Sequence, residues 1–575
     1  MSHYTPARQL DDWVSGWAEL HFPEAPPSGR ILPCQDPRFG HYQSNLALSA
    51  AKSLKRPPRE VAQSLIDYCK NADFIETPEM AGPGFVNFRF TRACLEKALE
   101  QLIADPRQGI LRTTAPLTIV VDFSGPNVAK EMHVGHIRST ILGDCIARIL
   151  DSLGHRVIRD NHIGDWGTQF GKLILGYKQR GRPALKAPDS LALMQEMYQT
   201  THQACEADPN LMNQARAELK KLQDGDPDNL SIWKLFREQS EASFNSIYQR
   251  LNISFDHTLG ESFYNPWLKQ TVQSLRDAGL AQLSREATVV FFSSEELKNN
   301  PFIVEKSDGA ALYATTDLAT LKYRKEEWKA DEVIYVTDGR QQLHFKQLFE
   351  TTRLWKLDIR CHHVWFGTIL GEDNKPLKTR AGTPIRLVDL LDEATRRALD
   401  VLLDKRPDLS ATEAEHMAPI IGIGALKYAD LSQNRHLDYV FNWDKLLSFD
   451  GNTAPYLINA YVRSRSILRR AADRGLDYTV AGTCSLTHET ELKLARMLLE
   501  FGQAVEMVTH EYRPHILCSY LFDLASLFHR FFEDCPVLAA ESQEIQQSRM
   551  GLCRQTGDTL KTGLALLGIE TLESM

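Results

Sequence analysis

The sequence predicts an α/β protein with a parallel-sheet core, a small α/β domain ahead of it and an all-helical region behind it. Three observations predict this. Residues 117–124 (LTIVVDFS) form a continuous β-branched run, which suits a strand buried on both faces. A helical pattern follows, HIRSTILGDCIARILDSLG, and then a second strand, RVIRDNHI. That succession is a βαβ unit, whose two strands should be parallel neighbours. From about residue 395 the pattern is helical almost to the end, with no later strand of comparable strength.

Residues 1–112 read as a separate small domain. An early helix leads into a loop (FPEAPPSGRILPCQDPRFGHYQSN), and a second helical stretch is interrupted at Pro57-Pro58. The Gly82-Pro83-Gly84 turn then reverses the chain into the strand FVNFRF. The core spans 113–395. Its first helix repeats Ile137, Ile141, Cys145, Ile149 and Leu150 at helical spacing, and Gly154 stops it. Charged helices over about 180–250 read as an insertion, and ATVVFF, DEVIYV and HHVWFG are further strand candidates. Residues 396–450 read as a helical connection and 451–575 as a helical domain.

A chain of 575 residues is long enough for several domains. Hydrophobic residues make up 43% and charged residues 24%, as in soluble globular proteins. No apolar run is long enough to cross a membrane, and the opening residues lack the pattern of a signal peptide. The ten cysteines are scattered without a Cys-x-x-Cys pair, which fits reduced thiols in the cytoplasm and gives no zinc spacing. Net charge is −8 and the pI about 6.2, so any RNA surface must be a local basic patch.

The first chemical constellation is SGPNVAKEMHVGH, residues 124–136, where the first strand ends and the first helix begins. Doubly wound sheets bind ligands at such places, and a helix start offers free N–H groups to phosphate. His133 and His136 lie on one helix edge, and Gly135 between them lets a nucleotide approach the backbone. Lys130 adds a cation beside them. A plainer reading, a polar helix cap, stands for the His-x-Gly-His string taken alone.

His-Val-Gly-His resembles the HIGH signature of class I aminoacyl-tRNA synthetases. The longer string SGPNVAKEMHVGHIRSTILGD resembles its arginyl-tRNA synthetase form. NHIGDWGTQF (161–170), YATTDLA (313–319), YVTD (335–338) and GIGALKYADLSQNR (422–435) match the same family. DYVFNWDKLLSFDGNTAPYLINAYVR and the terminal LLGIETLESM continue the match. Gly125 departs from the family, which more often has a second serine there.

The resemblance implies a class I synthetase, Rossmann-like parallel-sheet catalytic core with a tRNA-contacting N-terminal domain and a helical anticodon-binding domain. It implies ATP, with Mg²⁺ carried on its phosphates and no dedicated protein metal site, and L-arginine and tRNA(Arg) as the other substrates. The resemblance further implies that activation of arginine is tied to bound tRNA. We expect a cytoplasmic monomer with no membrane partner. His133, Gly135, His136 and Lys130 are the implied ATP residues. The second class signature, KMSKS, is absent. Lys375, Lys378 and Arg380, in a loop flanked by Gly371 and Gly382, supply its charge, and Lys130 stands where the family is thought to carry a substitute lysine. The arginine pocket maps onto Ser124, Asn127, His136, Glu261, Tyr313, Asp317 and Gln341. A guanidinium presents planar donors that carboxylates accept in pairs, so Glu261 and Asp317 are the implied acids. On residues alone, Asp317 reads more readily as a helix cap, and Glu261, after Gly260, as an ordinary loop acid.

Tyr456, Tyr461 and Arg463 are implied tRNA contacts in the helical domain, and Phe85 and Asn87 in the first domain. Leu524, Phe528 and Phe531 read instead as core. The rivals are another class I synthetase, a small nucleotidyltransferase, which has no need of the helical C-terminus, and a non-catalytic tRNA-binding relative, which has no need of intact His133, His136, Lys130, Lys378 and Asp317.

Overall fold

Thr118–Asp122 is the strand on which the sheet is built, with Val120 and Val121 fully buried. It pairs in parallel with Arg156–Asp160 on one side and Glu332–Tyr335 on the other, and Arg360–His363 completes the sheet. The Val134–Ser152 helix makes the crossover between the first two strands, as the βαβ reading requires. The chain then returns to the opposite side of the leading strand. The carboxyl end between Thr118–Asp122 and Glu332–Tyr335 is therefore the topological switch point, where such sheets open a crevice. A computed structural model describes residues 5–21, 31–34, 36–185, 190–284, 286–306, 312–378, 384–477 and 484–574.

The ATVVFF run behaves differently from its fellow candidates. Ala287–Val290 pairs antiparallel with Ala281–Ser284 and Phe302–Glu305 in a separate three-stranded sheet. The insertion forms the helices Ser190–Ala207, Pro209–Gln223 and Pro227–Arg250. Each of the last two opens with an aspartate, Asp208 or Asp226, accepting a backbone N–H, followed by proline at the first helical position.

The first domain folds around four antiparallel strands in the order Leu32–Pro33, Tyr42–Ser44, Phe85–Phe88, Glu79–Ala81. Gly82 and Gly84 both take positive φ in the turn between the last two, which L side chains resist. Pro57 divides the Leu46–Leu54 and Pro58–Cys69 helices. The domain leans on the C-terminal helices. Tyr42 donates to Glu500 at 2.9 Å, and the carboxylates of Glu96 and Glu100 accept the backbone N–H groups of Leu486 and Cys484 at 2.9 Å each. The C-terminal region packs Ala454–Asp473, Glu489–Leu499, Phe501–Glu511, His515–Asp534 and Gln543–Leu566 around Leu524, Phe528 and Phe531, all fully buried as expected. No helix of the described residues is long and apolar enough to cross a membrane.

One ionic cluster locks the sheet to its covering helix. Arg324, on the Tyr313–Glu326 helix, donates from Nη2 to Asp122 and to Asp160, at 2.6 Å each. Asp122 and Asp160 face each other in register across the first two strands. Arg324 and Asp160 are wholly buried, and the guanidinium lies 5.4 Å from the centre of the Tyr335 ring. Burial pushes the Asp160 carboxyl up, while Arg324 pulls it down. Replacing Arg324 with methionine leaves two buried carboxylates without their cation, a defect worth about 3–5 kcal/mol. We predict a fall in Tm of several degrees, read by scanning calorimetry, and partial recovery in the Arg324→Met/Asp160→Asn double variant.

Candidate active site

The loop after the leading strand is held by one hydroxyl. Ser139, on the crossover helix, accepts the Ser124 N–H at 2.8 Å and donates to the Val336 carbonyl at 2.6 Å. It thus ties together the ends of the two strands that border the crevice. Ser124 sits at φ +74° and Gly125 at +54°. Glycine relieves the strain at the second position, which gives the Gly125 departure a physical basis. The Ser124 hydroxyl meets the Tyr248 hydroxyl at 2.8 Å and accepts from Thr140 at 3.0 Å. The neighbouring loop runs alongside: Val128 N–H donates to Gly164 O at 3.0 Å, and Gly164 N–H to Pro126 O at 3.1 Å. Asn127 forms the bridge with Gly164.

His133 caps the crossover helix. Its Nδ1 accepts the Gly135 N–H at 3.1 Å, and His136 Nδ1 accepts the His133 N–H at 3.1 Å. An acceptor Nδ1 assigns the ring proton to Nε2 in both imidazoles. Burial, with His133 and Lys130 nearby, pushes His136 down to about 3. Burial, Lys130 and Arg340 lower His133 as well. Near neutral pH the rings, 4.1 Å apart between centres, are therefore uncharged and keep an Nε2–H donor each. Lys130 is exposed beside them. A Cβ on Gly135 would stand 2.8 Å from His133 Cε1, so glycine is what lets the capping ring fold over the helix start.

The cationic loop is rooted on the same helix at both ends. Arg138 ion-pairs with Asp430 at 2.8 Å, both almost wholly buried, and donates to Gly367 O at 2.7 Å just before the loop. Beyond the loop, Val134 N–H donates to Ile385 O at 2.9 Å and Leu387 N–H to Met132 O at 2.8 Å. Between these roots the chain turns back at Gly371, which donates to Lys375 O at 2.8 Å, and exposes Lys375 and Lys378. Arg380 and Gly382 lie outside the described residues.

The acidic side forms from two elements. Asp165, fully buried, accepts the Ser262 N–H at 2.8 Å and the Ser262 hydroxyl at 2.7 Å. A Cβ on Gly260 would lie 2.2 Å from that carboxylate, so the turn presenting Glu261 closes only with glycine there. Burial first, then Asp165 and Asp317, push Glu261 up to about 8. Asp317 lies within the Tyr313–Glu326 helix rather than at its cap, and meets His344 Nε2 at 2.5 Å. Burial and the charges of Glu261 and Asp317 raise the Tyr313 phenol, which is largely exposed. Glu261, Tyr313 and Asp317 are thus mutual neighbours. Gln341 is exposed at the start of the Gln342–Leu354 helix, three residues before His344, and its side chain has no hydrogen-bond partner among the described residues.

The proposed RNA residues separate. Tyr456 is half-buried between Phe522 and His529, and Arg463 donates to His529 Nδ1 at 3.0 Å and lies 5.5 Å from the centre of the partly exposed Phe532 ring. Tyr461 corrects its reading: it is fully buried, with its hydroxyl on Glu573 at 2.7 Å, and offers no open ring face. Asn87 corrects likewise, being buried with its amide oxygen taken by Gln43 at 2.9 Å. Phe85 is half-buried at the start of its strand. Sequence reasoning missed Ser139, Arg138, Asp165, Tyr248 and His344. The first three stand inside the matched strings, whereas nothing local distinguishes Tyr248 or His344.

A parallel sheet with a His-x-Gly-His helix start at its switch point, and a cationic loop rooted on that helix, defines the catalytic centre of a class I aminoacyl-tRNA synthetase. Comparison with known proteins specifies it further. The family described as "tRNA synthetases class I (R), catalytic domain" matches residues 98–443, "DALR anticodon binding domain" matches 457–575, and "Arginyl tRNA synthetase N terminal domain" matches 17–90. An arginine–tRNA ligase of Cyanothece sp. is 47% identical over 95% of each chain, and one of Shewanella sp. (strain ANA-3) is 44% identical over 94% of each. The arginyl-tRNA synthetase structures of Plasmodium falciparum and Thermus thermophilus align with TM-scores of 0.85 and 0.83, at 28% and 25% identity. They cover 100% and 99% of this chain and 100% of each of theirs. The chain belongs to the arginyl-tRNA synthetase family.

The cap geometry generates a test. In Gly135→Ala the new methyl displaces the His133 ring, so amino-acid-dependent ATP–pyrophosphate exchange should fall by about tenfold or more, as for loss of one oriented donor. The Tm should move little. An unchanged exchange rate would show that the ring position does not matter.

Proposed function

We infer that this chain is an ATP-dependent arginine–tRNA ligase. It activates L-arginine to arginyl-adenylate and transfers the arginyl group to the 3′-terminal adenosine of tRNA(Arg), releasing AMP and pyrophosphate. The observation that carries the substrate choice is the pairing of Glu261 with Asp317 beside Tyr313. A guanidinium is a planar fork of donors, and two neighbouring carboxyl groups with an aromatic flank satisfy it. Lysine would leave buried acceptors unpaired, which a site of this kind penalises heavily.

In the first step an arginine carboxylate oxygen attacks the α-phosphorus, a new O–P bond forms, and the bond to pyrophosphate breaks. In the second, a hydroxyl of the terminal ribose attacks the activated carbonyl carbon and AMP departs. We assign the Nε2–H groups of His133 and His136 to phosphate oxygens, with Gly135 leaving room for the nucleotide. Neutral donors hold the phosphates without trapping the charged product as a fixed cation would. Lys130, Lys375, Lys378 and Arg380 neutralise the charge that grows on pyrophosphate as its bond breaks. Ser124, Asn127, His136 and Gln341 line the amino-acid end. Magnesium, if bound with ATP, would neutralise phosphate charge and would be held mainly by phosphates and water. The helical domain reads the anticodon loop, with Tyr456, Arg463 and their aromatic neighbours as the exposed-edge cluster suited to stacking bases. Phe85 touches the tRNA from the first domain. Tyr461 and Asn87 support these surfaces from beneath. We propose that the chain works as a cytoplasmic monomer; one polypeptide supplies the nucleotide loop, the cationic loop and the acid pair.

A charging panel of twenty amino acids with total tRNA tests the whole reading, and arginine alone should become esterified. Lys130→Ala should lower ATP–pyrophosphate exchange by about tenfold or more while calorimetric arginine affinity holds. Parent-like exchange would remove the role given to Lys130. Glu261 supplies a second test. Its carboxyl is raised to about 8 in the free protein, so near pH 7 it is mostly protonated. A bound guanidinium favours the ionised form, so binding releases close to one proton at pH 7 and progressively less as pH rises past 8. Calorimetry in buffers of different ionisation enthalpy reads this release, and Glu261→Gln should abolish it.

A further inference from the structure

We propose that His344 is a positioning residue for arginine selection, its Nε2–H holding the Asp317 carboxylate in one fixed plane to receive the guanidinium. The inference rests on Glu261, Tyr313 and Asp317 being the arginine pocket. It adds a residue that acts on substrate only through Asp317.

The contact is short and tertiary. His344 Nε2 stands 2.5 Å from Asp317 Oδ2, linking the Gln342–Leu354 helix to the Tyr313–Glu326 helix. Among the described residues no other group hydrogen-bonds the Asp317 carboxylate. An ionised carboxylate only accepts, so Nε2 carries the proton, and it does so in the neutral ring and the imidazolium alike. The ring is itself held, edge-to-face against Phe302 at 5.6 Å and Phe345 at 5.4 Å between centres. Both side chains are largely but not wholly covered, at 27% and 23% exposure, which leaves carboxylate surface for a ligand.

The need for such a clamp follows from two facts. The terminal torsion of an aspartate is broad, so an unrestrained carboxylate samples many planes. A guanidinium fork gains its second hydrogen bond only when the two planes match. The helix beneath is fixed separately, because Arg324, seven residues after Asp317, pins it to the sheet. His344 therefore determines the orientation of the side chain, not the position of the helix.

The test is steady-state aminoacylation with saturating tRNA, reading KM for arginine and for ATP. His344→Ala should raise the arginine KM about tenfold or more and leave the ATP KM within about twofold. His344→Gln, whose amide places an N–H near the same point, should recover most of that loss. In an Asp317→Asn background, His344→Ala should add no more than about twofold, since its route to substrate is already cut. The proposal is overturned if His344→Ala keeps the parent arginine KM, if both KM values rise together, or if the glutamine variant does no better than alanine. An arginine KM unmoved in Asp317→Asn alone would instead sink the pocket assignment on which the proposal rests.

Discussion

The buried grip of Arg324 on Asp122 and Asp160 is the constraint on which the rest of this molecule depends. Parallel strands end at their carboxyl edge with side chains that point into the future ligand site, and here two of them are carboxylates facing each other in register. Left alone they would repel and splay the sheet at the switch point. One guanidinium, over the Tyr335 ring, pairs with both. It does so from the helix that also carries Tyr313 and Asp317, at helical spacings that place them toward the same edge. The ion cluster therefore converts a sheet-packing requirement into a fixed position for Tyr313 and Asp317.

The crossover helix serves the nucleotide side in a parallel way. Ser139 joins the two bordering strands, Arg138 grips the chain entering the cationic loop, and Val134 grips the chain leaving it. Consecutive turns of one helix thus set the spacing between the ring donors of His133 and His136 and the cations of the loop. The electrostatics divide accordingly. Around His133 and His136 burial and neighbouring cations keep the rings neutral, so they work as directional donors. Around Glu261 burial and neighbouring acids raise the carboxyl, so that it keeps a proton. Both arrangements remove a charge that would otherwise be buried without a partner.

Much of this was legible in the residues. The β-branched run at 117–124, the helical spacing from Ile137 to Leu150 and the stop at Gly154 fixed the βαβ unit, because those patterns answer to local periodicity. The strings around His133 and Lys378 marked the helix start and the loop rooted beside it for the same reason: their residues are contiguous in sequence. Other features were illegible. ATVVFF has the composition of a core strand and yet joins a separate antiparallel sheet, since pairing partners are chosen by tertiary contacts. Tyr461 and Tyr456 look alike on the same helix, five residues apart, and one is core while the other faces the aromatic cluster. Asp317 satisfied the requirements of a helix cap as well as those of a ligand until its place inside the helix was known.

By itself the sequence determined the parallel core, the helical ends and the family to which the chain belongs, because strand, helix and signature each depend on residues close together along the chain. Only the tertiary structure decided which side chains act in concert. His344 reaches Asp317 across 27 positions, Arg324 reaches Asp122 across 202, and Arg138 reaches Asp430 across 292. The physical reason is that an ion pair or hydrogen bond depends on distance in space and direction, and neither is recorded in the order of residues until helices and sheet are packed.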